Sequence, residues 1–145
     1  MAKTNTWEQG LLELLFNNAD FTGVGDAGGL LGSATAGSLY VSLHTGDPGE
    51  AGDQTTSEAA YTSYARVAVA RSGAGWTVTA NSVSPAAAIE FPAATGGTET
   101  ATYFGVGTAA SGAGKLLYRG TISPTISIST GVTPSLSTDT AITED

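Results

Sequence analysis

The sequence predicts an all-β fold, an antiparallel β-sandwich of jelly-roll type with one short N-terminal helix. Three observations predict it. From Leu39 onward apolar residues recur every second position, the period of a half-buried strand. Glycine, proline and serine turn signals interrupt that pattern at short intervals. Only one stretch, near the N-terminus, is dense enough in leucine to read as a helix. Composition agrees: only 12% of the 145 residues are charged, and Thr, Ser, Gly and Asn supply the remaining polarity, a mixture suited to strands and turns. Length argues for one domain, able to bury about two-thirds of its unfolded surface.

The helix is expected in "TNTWEQGLLELLFNNADF", with Asn5 or Thr6 as its cap, Glu8 or Gln9 in capping-box spacing, and Asn17-Asn18 as its stop. Leu11, Leu12, Leu14, Leu15 and Phe16 leave little of it polar, and so short a helix must pack on something to persist. The glycine-rich "GVGDAGGLLGSATAG", Gly23 to Gly37, follows and reads as a flexible arm. Its Gly23, Gly25 and Gly28 match the spacing of a dinucleotide fingerprint. No strand precedes them and no helix follows, so that match carries no cofactor site.

In the first strand Leu39, Val41 and Leu43 point one way and Tyr40, Ser42 and His44 the other. Further strands are expected at Ala65 to Arg71, Trp76 to Ala80, Ala88 to Phe91, Ala101 to Gly107, Lys115 to Ile122, Ile126 to Thr130 and near Leu136 to Ile142. Between them lie "DPGEAGD", "SGAG", "NSVSP", "ATGG", "ASGAG", "SP" and "TP" as turns. Eight short strands is the natural count of a jelly roll. The tail "STDTAITED" reads as a last strand closed by two acids, which discourage edge-to-edge pairing.

Several chemistries are disfavoured. The formal charge is −8 and the five cations, Lys3, Arg66, Arg71, Lys115 and Arg119, are scattered, so no basic groove meets nucleic acid. With no cysteine there is neither a disulfide framework nor thiol chemistry. No secretory signal and no membrane span is expected; the apolar run Leu11 to Phe16 is short and holds Glu13.

Ser42 and His44 share a strand face, which permits a Ser–His contact. However, Ser42 lies in mid-strand and no G-x-S-x-G is present, so His44 is expected on an outer polar or interface face rather than in catalysis. Asp47, Glu50, Asp53 and Glu58 do not follow the calcium-loop order, and Asp47-Pro48-Gly49 favours a solvated turn. Glu90 and Glu99 as a glycosidase pair would need an apolar pocket around one of them, and Glu90, between Ile89 and Phe91, should face outward. Trp7, Trp76, Tyr40, Tyr61, Tyr64, Tyr103, Phe104 and Tyr118 suggest either strand packing or a sugar-stacking platform. No enzyme activity, cofactor or metal is expected.

Taken as a set, "LYVSLHTGDPGEAGDQ", "YTSYARVAVARS", "NSVSPAAAIEFPAATGGTETATYFGVGTAASGAGKLLYRG" and the closing "AITED" resemble a group of small tailed-bacteriophage virion proteins. Within that group the sequence is similar to capsid cement, or head decoration, proteins of the jelly-roll kind found on Bordetella phage. The resemblance spans Leu39 to Asp145. It implies a structural protein made in the host bacterial cytoplasm and bound to the outer surface of a shell of major capsid protein, as a dimer or trimer. Sparse charge suits such a role, since few ions leave water when copies pack closely. The expected organisation is a helix and arm over residues 1–37 and a sandwich over residues 38–145. The helix residues Trp7, Leu11, Leu12, Leu15 and Phe16 are the expected capsid or self contacts, on account of their apolar excess. The rival reading is a tail-associated receptor- or carbohydrate-binding module.

Overall fold

The structure, a computed structural model, describes all 145 residues. One helix, α1 (Asn5–Asn17), precedes nine strands: β1 (Ser38–His44), β2 (Val67–Ala70), β3 (Trp76–Thr79), β4 (Ser82–Pro85), β5 (Ile89–Glu90), β6 (Glu99–Gly107), β7 (Leu116–Ile128), β8 (Ser135–Leu136) and β9 (Ile142–Thr143). They form sheets in the orders β2-β1-β6-β7, β3-β4-β9 and β5-β8. The registers from β1–β6 to β6–β7 are antiparallel. The fold is therefore an all-β sandwich with a single short helix. The jelly-roll part of the expectation gains no support: nine strands fall into sheets of four, three and two, not two sheets of four.

Three elements differ from the sequence reading. β4 lies inside "NSVSP", which reads as a turn, because Ala80 takes a left-handed φ of 53° and turns the chain into a hairpin pairing Thr79 with Ser82. β7 runs unbroken through Ser123-Pro124, where the sequence suggests two strands. Proline is tolerated there because β7 is an edge strand, and the β6 register shifts opposite it, between Ala101 and Tyr103. Near the C-terminus two short strands, β8 and β9, replace one.

Two compact units are present, each drawn from separate stretches of the chain. The first joins Met1–Ser38, Val69–Ala88 and Ser137–Asp145; the second joins Leu39–Ala68 and Ile89–Leu136. In the first unit α1 packs on the β3–β4 hairpin. Leu12, Phe16, Trp76 and Val83 are buried, and the Phe16 and Trp76 rings meet edge to face at 4.8 Å. Thr4, one residue before the expected caps, occupies the N-cap without a side-chain bond, whereas Asn18 ends the helix in the left-handed conformation as its residue type predicts. Arg71 completes that C-terminus: its guanidinium donates to the carbonyls of Leu15 (2.6 Å), Leu14 (2.8 Å) and Ala36 (3.1 Å). A cation there also opposes the negative end of the helix dipole.

The glycine-rich segment is tied down rather than a free arm. Phe21 and Leu30 exchange backbone hydrogen bonds of 2.8 and 2.9 Å, and Asn18 and Asp20 accept from the amides of Ser33 and Gly32. Phe21 lies over Gly10, where a Cβ would stand 2.5 Å from the ring, and its ring centroid is 5.4 Å from that of Trp7. The C-terminus belongs to this unit too: Asn81 and Glu144 exchange hydrogen bonds, and Glu144 pairs with Lys3 at 3.1 Å.

The second unit's core is the face of β1 and β6 that carries Val41, Leu43, Phe104 and Val106, each opposite its partner. Ile89, Phe91, Ala101, Ile128 and Leu136 are buried in the same unit. Gly120 stands opposite Phe104 and leaves room for its ring, since a Cβ there would lie 2.6 Å from it. No helix is long and apolar enough to cross a membrane.

Candidate functional site

The polar face of β1 is the first place to look for chemistry, and it is buried. Ser42 and His44 are both 0% exposed, so His44 is not the outer-face residue that simple alternation predicts. The cause is the segment after the strand, which folds back over it: the Thr45 amide donates to the Ser57 carbonyl and the Ala59 amide to the Leu43 carbonyl. Ser42 Oγ lies 2.8 Å from His44 Nε2, and His44 Nδ1 lies 2.8 Å from the Thr56 carbonyl. A carbonyl only accepts, so Nδ1 carries the proton and bare Nε2 accepts from the Ser42 hydroxyl. Burial pushes the imidazole's pKa below its ordinary 6.5; the Thr56 bond and the Glu58 charge act against that shift, and Arg66 adds to it.

This pair copies the contact of a nucleophile with its base, but nothing reaches it. On β6, Gly105 faces Ser42, and a Cβ there would stand 2.7 Å from His44 Nε2 and 2.8 Å from Ser42 Oγ. The third group is a backbone carbonyl rather than a carboxylate. What the arrangement does is satisfy three polar groups inside the core.

The acids after β1 divide between surface and interior. Asp47 behaves as a turn residue, accepting from the Gly49 amide at 2.9 Å and pairing with Arg119 at 2.7 Å on an exposed surface. Asp53 accepts from the amide and hydroxyl of Thr55 at 2.8 and 2.6 Å, bonds that hold its pKa below the usual carboxylate value. Glu58 is not in a solvated turn. Its two oxygens take Nε and Nη2 of Arg66 at 2.6 and 2.8 Å, and Oε1 also accepts from the Tyr64 hydroxyl at 2.9 Å. Burial raises the Tyr64 pKa well above its ordinary range. The Arg66 side chain, 2% exposed, also donates to the carbonyls of Ala109 (2.9 Å) and Gly112 (2.7 Å), and so clamps the β6–β7 connection.

Gln54 supports the same connection from below. It is fully buried, its Oε1 accepts from Ala109, and Gly107 and Gly114 make the space it fills. Sequence reasoning missed Gln54, Arg66, Arg71 and Glu99 as structural residues. Two arginines bounding the apolar "VAVA" in a cation-poor chain were the available signal for the arginines; nothing local marks Gln54.

Glu90 is exposed on β5, while Glu99 Oε1 accepts from the amides of Ala60 and Tyr61 at 2.9 Å each, holding the Ala59–Tyr61 loop. Of the fingerprint-like glycines, Gly28 donates its amide to Asp26, as does the neighbouring Gly29. Of the eight aromatics, Trp76, Tyr61 and Phe104 are buried, and Tyr64 stacks on Phe91 at 6.4 Å. They do not form one platform. An open depression of about 230 Å³ lies along Leu116–Arg119 and the Gly49–Gly52 turn, with Tyr118 as its aromatic residue.

The helix and the segment after it provide the remaining candidate surface. Among the expected contact residues, Leu12 and Phe16 lie inside the first unit, whereas Trp7, Leu11 and Leu15 are half-buried. The exposed large apolar side chains are Met1, Val24 (37%) and Leu31 (67%), all within residues 1–37. Of the helix residues expected as contacts, Leu12 and Phe16 are therefore internal, and the exposed large side chains of this stretch lie outside α1.

Residues 2–143 match the model of a protein family described as podophage GP4 fiber I protein gp80. The chain belongs to that family, and with it to the structural proteins of phage virions. No curated protein matches the chain.

Proposed function

Proceeding from membership of a phage fibre-protein family, we propose that the chain is a non-enzymatic decoration protein that binds the major capsid protein on the outer face of the phage head and stabilises the shell. The observation that carries this reading is the distribution of exposed apolar surface. The side chains with catalytic potential are held by internal partners, while Met1, Val24 and Leu31 are exposed within residues 1–37, the stretch that also holds half-buried Trp7, Leu11 and Leu15. An exposed leucine such as Leu31 is a side chain that a protein partner can bury. Many identical weak contacts add up on a symmetric lattice, so each need contribute little.

The test is binding of the purified chain to heads and to tails that lack it, separated before mixing. Saturable binding to heads in proportion to capsid subunits is expected, and Leu31→Ser with Val24→Ser should weaken it about tenfold or more. Binding to tails alone would overturn the reading. One observation favours a second reading, a tail-associated fibre component: the word fibre in the family description. Binding to tails in a few copies would support it.

A further inference from the structure

We propose that the depression between residues 116–119 of β7 and the turn over residues 49–52 is a weak binding site for one sugar ring, a function beyond head binding. Its volume of about 230 Å³ is room for a single six-membered ring rather than a drug-sized molecule. Both walls belong to the second unit.

Three features build the hollow. The β6–β7 register passes from Val106↔Tyr118 to Gly107↔Leu116, so Leu117 is an extra residue in the ladder. Such a bulge breaks the strict alternation of side chains, and Leu116, Leu117, Tyr118 and Arg119 all border the one depression. On the other wall glycine shapes the turn. Gly49 has a φ of 73°, and a Cβ there would meet nothing within 4 Å, which leaves open space beside it. Finally, Asp47 Oδ1 accepts from Arg119 Nη1 at 2.7 Å and from the Gly49 amide at 2.9 Å, so one carboxylate fixes the guanidinium to the turn.

The ligand class follows from what these groups can do. With Asp47 as its counter-ion, Arg119 offers N–H donors more than a free charge, so it does not select an anion. Glu50, exposed on the turn, contributes acceptors, and no third acid joins the two to hold a metal ion. β7 is the edge of its sheet, so alternate residues along it turn N–H and C=O groups outward. A ligand here must donate and accept several hydrogen bonds and also bring an apolar face to Tyr118 and the leucines. A pyranose does both: its hydroxyls meet Arg119, Glu50 and the strand edge, and its C–H face meets the aromatic ring. So open a site binds one sugar weakly, and many copies on one particle make the contact effective.

The test is an NMR titration of the isotope-labelled chain with D-glucose, D-galactose, D-mannose and N-acetyl-D-glucosamine, with acetate and methylamine as charged probes. At least one sugar should shift the amides of Gly49, Glu50 and residues 116–119 saturably, with a Kd of about 1–30 mM. Glu50→Ala and Arg119→Ala should each weaken that binding about fivefold or more, while Glu90→Ala, on exposed β5, should leave it within about twofold. Glu50 is exposed, so its variant decides the matter even where Arg119→Ala disturbs the turn. No saturable shift from any of the four sugars, shifts elsewhere on the chain, or binding indifferent to Glu50→Ala would overturn the inference. So would acetate or methylamine moving the same amides where the sugars do not. Any of these results could coexist with head binding, so the two readings fail separately.

Discussion

His44 sets the pH response of the second unit. Its imidazole is neutral in the fold because burial lowers its pKa below the ordinary 6.5, whereas the unfolded chain takes up a proton near 6.5. Below that pH the unfolded state therefore binds more protons, and stability falls as pH drops toward the folded pKa. Thermal melts from about pH 7 to about pH 5 should show this decline, and His44→Gln should flatten its slope whatever it does to the level. Asp53 acts lower: its depressed pKa gives stability that is present above 3.8 and lost as pH falls below. Ala80 is a second residue-scale case. At φ 53° its Cβ crowds the backbone, so Ala80→Gly should stabilise by about 1 kcal/mol, seen as a melting point about 2–4 °C higher.

Between elements, the Arg66–Glu58 pair holds the β6–β7 connection, because four donor contacts leave that guanidinium and converge on Glu58, Ala109 and Gly112. Arg66→Ala leaves Glu58 without its bidentate partner and should cost about 3–5 kcal/mol in urea unfolding. Adding Glu58→Ala should then cost much less than it does alone, the non-additivity expected of one network. How much of this was legible depended on the physics at each position. The period-two run Leu39 to His44 announces a strand, and it is one. The burial of its second face is invisible there, since the cover comes from Gln54 to Glu58, residues that read as a polar turn. Likewise Asn18 ends α1 by its own conformation, but the arginine that completes that end lies 53 positions beyond it in sequence. Local propensity cannot report a partner that only the tertiary fold supplies.

For the whole molecule, low charge density and period-two patterning were enough to identify an all-β class. Strand order and the discontinuous make-up of the two units depend on long-range pairing and were not readable. The same division applies to the candidate contact surface. Apolar excess pointed to residues 1–37, but packing against Trp76 removes Leu12 and Phe16 from the surface and leaves Val24 and Leu31 exposed. The proposed decoration role draws on a chain with few ions and on large apolar side chains exposed within residues 1–37. The most direct test is cryo-electron microscopy of purified particles. The account predicts density for this chain over the capsid surface in proportion to capsid subunits, with residues 1–37 against the shell. Density confined to the tail would contradict it.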